Sequence, residues 1–179
     1  LAILRNTRWF TGKRPLYWSI SFCQIPLSSP AVGAAVIFGA GFDGTTSFRP
    51  GTRFAPSAIR NESFGIETYS PYQDKDMLDY SYFDSGDLEL PFGSTSRTIA
   101  DIATRSDKIL KDGKIPFLIG GEHLVTFGSV MAVKEKFDEL YIIHFDAHAD
   151  LRNDYLGQKL SHACVIKRCV ELVAKENLY

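Results

Sequence analysis

Runs of consecutive apolar residues alternate along most of this chain with segments whose apolar residues recur every three or four positions. We predict that the runs form strands and that the periodic segments form helices. Because strands that are apolar on both faces belong to parallel sheets covered by helices on each side, the pattern predicts an α/β fold with three layers, α/β/α, and a mainly parallel sheet. The predicted strands are residues 34–38, 80–88, 115–119 and 140–145, and the predicted helices are residues 56–64, 96–111, 124–137 and 161–176.

Two polar motifs directly follow the last two predicted strands. "GGEH" occupies residues 120–123, and "DAHAD" occupies residues 146–150. Ligands of parallel α/β sheets bind beyond the carboxyl ends of the strands. The sequence therefore predicts that both motifs belong to one site at that edge of the sheet.

The second motif carries three metal-binding side chains at alternate positions. On an extended backbone, Asp146, His148 and Asp150 would project to one side of the chain. Carboxylate and imidazole ligands without thiolates suit Mn²⁺, Zn²⁺ or Fe²⁺, so we predict a divalent metal site that includes His123; the alternative is a solvated polar loop. His144 lies deeper in the apolar run, and we predict that it is a hydrogen-bonded core histidine.

The charge balance narrows the classes of partner. With 20 basic and 21 acidic residues the chain has a net charge of -1, so nothing attracts it to nucleic acid or to an anionic membrane. No apolar stretch reaches the length of roughly 18–20 residues that spans a bilayer. The three cysteines form no C-x-x-C pair, which argues against a disulfide framework and favours a reducing compartment such as the cytoplasm.

The N-terminal segment differs from the rest of the chain. The first 42 residues contain no Asp or Glu, so residues 1–33 have some character of a mitochondrial transit peptide. The alternative is a variable N-terminus or sequence that is not native to the domain. We therefore divide the chain into residues 1–33, without a recognisable signature, and a single α/β domain at residues 34–179.

Several motifs of that domain resemble the manganese ureohydrolases, the family of arginase, agmatinase and their relatives. The resemblance extends from about Ala34 to the end of the chain. It is strongest to the bacterial agmatinase branch. The motifs that carry it are "GGEH" (120–123), "FDAHAD" (145–150), "LSHACVIKR" (160–168), "FDGTTSFRPGTRFAPSAIR" (42–60) and "GIETYSP" (65–71).

The resemblance implies hydrolysis of a linear guanidine, most simply agmatine to putrescine and urea. In this family two Mn²⁺ ions share a bridging hydroxide that attacks the guanidinium carbon, and two ions about 3.5–4 Å apart make such a hydroxide available at neutral pH. Transferred to this chain, His123 and Asp150 would bind one ion and His148 the other. Asp146 would bridge them.

The resemblance also assigns residues around the metals. His162 matches a histidine that passes a proton to the leaving amine; the alternative is a residue that merely solvates a helix end. Glu122 would orient the neighbouring metal ligand or offset the metal charge rather than bind metal itself. Asp154 or Tyr155 would meet the amine of agmatine, whereas Arg152 would pair with the carboxylate of guanidinobutyrate, so the substrate stays open.

A later S-x-D-x-D segment, which in the family supplies two further aspartates to the metals, has no counterpart in this chain. The two C-terminal strands of the family, which insert between the strands corresponding to 115–119 and 140–145, are also missing. We expect either a fragment of a longer protein that forms homo-oligomers, or a sheet that closes by pairing these two strands and displaces His123 from Asp146. For the isolated chain we predict weak or no activity and an aggregation-prone sheet edge.

Three other functions stay open on the sequence alone. One is a truncated or degenerate ureohydrolase-like protein without catalysis, which binds a partner subunit or a single ion. Another is a related guanidine hydrolase, such as guanidinobutyrase or arginase. The third is a zinc amidohydrolase of the deacetylase kind, against which His123 and the complete D-x-H-x-D motif argue.

Overall fold

The structure, a computed structural model, describes residues 34–179. The two interpretations of the N-terminus concern residues 1–33, which lie outside the described residues. The domain boundary after residue 33 also falls at the edge of that part. Within residues 34–179, no helix has the length and apolar character needed to cross a membrane.

Three parallel strands form the central sheet. Strand β1 (Ala35–Ala40) lies in the middle, between β4 (Tyr82–Asp87) and β5 (Ile115–Gly120). Both pairs are parallel, with Ala35 opposite Tyr82 on one side and Ile115 on the other. The first three predicted strands and the parallel sheet are confirmed.

Helices cover both faces of this sheet. Side chains alternate along a strand, and a Cβ at Gly39 would stand 2.9 Å from Pro56 Cβ, which places α1 (Ala55–Ser63) against that face of β1. The other face packs against α2 (Thr95–Lys111) and α3 (Val125–Lys136). The predicted three-layer α/β/α architecture is confirmed. The buried cluster on the second face consists of Val36, Phe38, Ala40, Ile102, Ile109 and Val125.

A buried ion pair fixes α1 to the sheet. The Arg60 guanidinium donates to both carboxylate oxygens of Asp84 on β4, at 2.7 and 3.0 Å, and also to Asp87. Charge-assisted bidentate pairs of this kind have a fixed geometry. A short antiparallel pair, β2 (Tyr69–Ser70) and β3 (Lys75–Asp76), connects α1 to β4.

Helix α2 follows its sequence pattern closely. Its buried residues recur every three or four positions, as they do on the inner face of an amphipathic helix. The helix ends at Lys111, and Gly113 follows two residues later. Its φ of 72° is readily adopted by glycine, and its N–H donates to Leu110 O. The buried residues are Thr98, Ile99, Ile102, Ser106, Ile109 and Leu110.

The predicted strand at 140–145 does not join the sheet. Its Ile142 forms an isolated parallel bridge with Leu178 instead. The amide of Ile142 donates to Asn177 O at 2.8 Å, and the amide of His144 donates to Tyr179 O at 2.8 Å. The prediction of a fourth sheet strand is therefore wrong for this chain, because the backbone groups of the segment find partners near residue 178.

The predicted helix at 161–176 is also broken. A 3₁₀ turn at His162–Cys164 leads into α4 (Val165–Val170), and a second 3₁₀ turn follows at Lys175–Asn177. Ala174 has extended backbone angles between them. The chain leaves the helix early because residues 177–179 extend alongside residues 142–144.

An open groove separates β5 from the 140–145 segment. Within residues 34–179, β5 pairs only with β1, so the sheet does not close in the way that one of our two expectations required. The groove measures about 590 Å³ and is lined by both segments. Both segments carry exposed apolar side chains, with Phe117 of β5 at 55% and Ile143 at 69%.

Candidate metal centre

The loops that follow β1 and β5 are hydrogen-bonded to each other. Gly121 N donates to Ala40 O at 3.0 Å, and Glu122 N donates to Phe42 O at 2.7 Å. A Cβ at Gly121 would lie 2.0 Å from Phe42 O, so only glycine fits this contact. This close approach places His123 at the carboxyl edge of the sheet, where the sequence predicted a site.

His123 meets both aspartates of the second motif. Its Nδ1 lies 2.6 Å from Asp150 Oδ2 and 3.4 Å from Asp146 Oδ2. Asp150 has a positive φ of 46°, a conformation that aspartate tolerates better than most residues. Its carbonyl accepts from Lys167 N at 3.1 Å, which ties the motif to α4.

The motif bends at residues 147–148 rather than continuing as an extended strand. Asp146 Oδ1 accepts from the backbone N–H of His148 at 2.9 Å, which is an Asx turn, and such turns compete with strand pairing. The backbone hydrogen bond lowers the pKa of the Asp146 carboxyl, and the nearby His123 adds to that lowering against the opposing effect of desolvation. The expectation of three side chains projecting from one face of a strand is therefore wrong in its local geometry.

The two oxygens of Asp146 nevertheless face different histidines. Oδ2 lies toward His123, while Oδ1 lies 3.5 Å from His148 Nδ1. The His148 side chain is 83% exposed. A carboxylate placed between two imidazoles, with Asp150 beside one of them, fits a bridge between two cations. These donors are suited to hold divalent metal ions.

The structure brings His144 to the same centre. Its ring stacks on His123 with centroids 5.3 Å apart, and its Nε2 lies 3.5 Å from Asp146 Oδ2. Donor atoms of these three residues all lie within 4.8 Å of one another. His144 is mostly buried, as a core histidine would be, but Nε2 has no hydrogen-bond partner among the described residues. Its position two residues before Asp146 was the signal that our sequence interpretation set aside.

His162 lies on the other side of the same pocket. Its Nδ1 is 2.8 Å from Thr45 O, and its backbone N–H donates to Thr45 Oγ1 at 3.1 Å. The ring of Tyr155 contacts it edge to face, with centroids 5.6 Å apart. The imidazole is thus held by the loop after β1, although 117 positions separate the two residues.

Glu122 binds that loop. Its Oε1 accepts from both the amide and the hydroxyl of Thr45, at 2.8 and 2.5 Å. Its Oε2 is buried without a hydrogen-bond partner in the described part of the chain, 4.0 Å from His162 Nδ1. The structure therefore places Glu122 between Thr45 and His162, and the predicted orientation of His123 by Glu122 stays a prediction.

A pocket of about 800 Å³ is lined by Glu122, His123, Asp146, His148, Asp150 and His162. Tyr155 and Arg152 form part of its wall, with the Arg152 guanidinium 5.4 Å from the centroid of the Tyr155 ring. Asp154 is exposed and is not among the lining residues. Phe48, on the loop after β1, lines the pocket too. The sequence analysis did not include this loop in the site, although its place beyond a strand end was a signal that could have found it.

The fold and the centre together define a member of the arginase family. The family model described as "Arginase family" matches residues 33–179, so the chain belongs to this family and the resemblance found in the sequence is confirmed.

Individual relatives agree with that assignment. An agmatinase of Bacillus subtilis is 48% identical over 145 residues, which are 81% of this chain and 50% of the relative. A guanidinobutyrase of Pseudomonas aeruginosa is 34% identical over 83% of this chain and 46% of its own length. The crystal structure of an agmatine ureohydrolase of Thermoplasma volcanium superposes with a TM-score of 0.74 at 34% identity, covering 82% of this chain and 48% of that one.

The chain spans about half the length of the curated relatives it matches. Enzymes of the arginase family use a dinuclear metal site, usually of manganese, and the His and Asp donors described above are suited to such a site. A mitochondrial location, which the acid-free N-terminus allowed, finds no support among these relatives.

Proposed function

We propose that the complete protein hydrolyses a linear guanidine, agmatine in the first place, to urea and an amine. The observation that carries the proposal is the Asp146 carboxylate, whose two oxygens face His123 and His148 separately. A carboxylate that bridges two cations would need this arrangement of its oxygens. The similarity to a bacterial agmatinase supports the choice of substrate.

The residues of this chain would have two roles, binding cations and transferring protons. His123 and Asp150 would hold one Mn²⁺, His148 the other, and Asp146 both. Two such ions, when bound, would supply a water of lowered pKa.

Other side chains around the pocket would receive the substrate. The carboxylates of Asp146, Asp150 and Glu122 give the pocket acidic character, which favours a guanidinium cation. His162, on the opposite wall, would pass a proton to the leaving amine.

The far end of the substrate decides between the guanidines. Tyr155 lines the pocket and offers a hydroxyl, whereas Arg152 beside it favours a carboxylate. Asp154 does not line the pocket, so it would contact only an amine that extends beyond the pocket wall. We place agmatine ahead of guanidinobutyrate on the higher identity to the agmatinase, and we keep both Asp154 and Tyr155 as candidate contacts.

The open groove supports the proposal that activity needs more chain than these 179 residues. Four protein ligands are few for two ions, and the exposed edge of β5 has unpaired backbone groups. We infer that the complete protein fills the groove with further strands that add metal ligands, works in the cytoplasm, and forms homo-oligomers without nucleic-acid or membrane partners.

Urea release from a panel of guanidines tests this function. Agmatine, guanidinobutyrate and arginine are each incubated with the complete protein and Mn²⁺, and we expect agmatine to have the highest kcat/KM. Asp146→Asn removes the charge between the ions and should lower turnover at least about 100-fold. Asp112→Asn, the same change at an exposed position after α2, is the matched control and should turn over normally. Near-normal turnover by the first variant would refute the dinuclear assignment.

A second candidate is a non-catalytic protein that binds one ion. The exposure of His148, whose only ion-pair contact among the described residues is with Asp146, favours it because the second ligand set is incomplete here. Metal content separates the two functions. Two Mn²⁺ per chain with urea release supports catalysis, whereas one ion per chain without turnover, in the complete protein, supports the alternative.

A further inference from the structure

Thr45 lies where three of the four segments that form the pocket meet. Its amide and hydroxyl both donate to Glu122 Oε1, its hydroxyl accepts from His162 N, and its carbonyl faces His162 Nδ1. It therefore joins the loop after β1 to the loop after β5 and to the turn before α4. No other residue of the described chain has hydrogen bonds to both Glu122 and His162.

The contact with the carbonyl determines which nitrogen of His162 carries the proton. A carbonyl oxygen only accepts hydrogen bonds, so the 2.8 Å contact requires a proton on Nδ1. A neutral imidazole has one N–H, and Nε2 is then left with a lone pair. Since His162 lines the pocket, Nε2 is the nitrogen available to a substrate.

The hydroxyl of Thr45 determines where that carbonyl lies. The hydroxyl donates to the buried Glu122 carboxylate, whose side chain is 3% exposed, and accepts from the backbone N–H of His162. Hydrogen bonds to a buried carboxylate are short and strong. Without the hydroxyl, both anchors of the loop at this point weaken together.

We propose that Thr45 is a positioning residue that holds His162 in the Nδ1–H tautomer with Nε2 directed to the substrate pocket. It acts through His162 and touches neither metal nor substrate. Its effect on turnover rests on the proposed guanidine hydrolysis, whereas its effect on the tautomer does not.

The tautomer of the unmodified chain is the first test. Long-range ¹H–¹⁵N correlation spectra of the metal-free protein distinguish Nδ1–H from Nε2–H imidazoles above the titration range of histidine. The chain has four histidines, so the signals of His162 are assigned by their loss in His162→Gln. We expect a single Nδ1–H form. An Nε2–H form, or an even mixture of the two, would overturn the proposal.

A matched pair of variants is the second test. Thr45→Val keeps the shape of the side chain and removes the hydroxyl, and Thr45→Ser keeps the hydroxyl. In the complete protein with Mn²⁺ and agmatine, we expect Thr45→Val to lower kcat about 10-fold or more with little change in KM. Nε2 of His162 must take up a proton before it passes one to the leaving amine, so its misplacement affects mainly the chemical step. Ser should restore most of kcat, and both variants should keep the metal content of the parent.

The outcomes separate this inference from the function on which it rests. Absence of urea release from the parent protein refutes the function, while the tautomer of His162 still decides the positioning role. Normal kcat and an unchanged Nδ1–H signal in Thr45→Val refute the positioning role and leave the function intact. If the Thr45→Val variant does not fold, either of two results contradicts the proposal. One is a loss of kcat in Thr45→Ser, and the other is an Nε2–H signal of His162 in the parent protein.

Discussion

The two parts of the described chain differ in how their apolar residues are covered. Residues 34–137 form the sheet and three helices, and they bury residues such as Phe38 completely. Residues 138–179 contain one short α-helix, and they leave Ile143 and Phe145 exposed at 69% and 94%. In the second part, the buried residues belong mainly to α4. They pack against Ile99 and Leu124 of the first part.

This difference shows that an element becomes regular here when its packing partners lie within the chain. Strand β1 has a neighbour on each side and helices on both faces. Among the described residues, the 140–145 segment has no sheet neighbour, and only one of its faces, that of Ile142, packs against a buried cluster. It pairs instead with the last residues of the chain. The functional consequence is that the metal motif at 146–150 is held through a few side-chain contacts rather than through a strand.

The largest effect should come from removing an aromatic ring in the first part. Phe38→Ala empties a fully buried position and should lower the free energy of unfolding by about 3–5 kcal/mol. The matched change Phe145→Ala removes a ring that is already in water and should cost less than about 0.5 kcal/mol. Urea titration of both variants measures the difference, and equal losses would show that the two parts are equally covered.

His162 tests whether the two parts cooperate, because it lies in the second and is held by Thr45 of the first. His162→Ala should lower kcat of the complete protein about 100-fold by removing the group that takes up a proton and passes it to the leaving amine. The Mn²⁺ content should not change, since the imidazole is not among the metal donors. Loss of metal together with activity would instead make His162 part of the metal centre.

The free edge of β5, which borders the open groove, can be tested by adding a charge to that strand. In the 179-residue chain, Phe117→Lys should reduce self-association, because a lysine at a free edge opposes strand pairing, and should change the free energy of unfolding by less than about 0.5 kcal/mol. In the complete protein the same change should destabilise, since our proposal fills the groove with further strands. Sedimentation and urea titration of both forms provide the comparison. An unchanged free energy of unfolding in the complete protein would contradict a groove filled by further strands.

At neutral pH the last substitution should have the smallest effect, because the titration it tests begins only at alkaline pH. It concerns the contact between the two parts. Burial raises the pKa of the Cys169 thiol on α4 from 9.0 to about 12. The unfolded chain therefore loses this proton from about pH 9 while the folded chain keeps it, and stability falls as pH rises between these values. Cys169→Ala should remove that part of the alkaline loss. Identical pH profiles of unfolding for the parent and the variant would show that this thiol is not buried in solution.

The sequence predicted well those features that depend on local periodicity. The three sheet strands and helices α1 to α3 were found from their apolar spacing, as α2 illustrates with its buried positions three and four residues apart. The metal motif was found because its ligands lie close together in sequence and follow predicted strands. Family resemblance added a role for His162 that spacing alone does not give.

The remaining features depend on contacts that no local pattern records. Thr45 meets His162 across 117 positions, and nothing in the sequence of either segment specifies that bond. The bend after Asp146 arises from a side-chain hydrogen bond that overrides the alternation of a strand. The 140–145 segment reads as a buried strand because its composition suits a neighbour that residues 34–179 do not provide.

The most direct test of the account is the position of manganese in crystals. Crystals of the protein grown with Mn²⁺ and measured at the manganese absorption edge should give anomalous peaks on both sides of the Asp146 carboxylate. One peak should lie beside His123 and Asp150, and the other beside His148. Peaks only elsewhere, or none at saturating Mn²⁺, would contradict the claim that these four side chains form a metal centre.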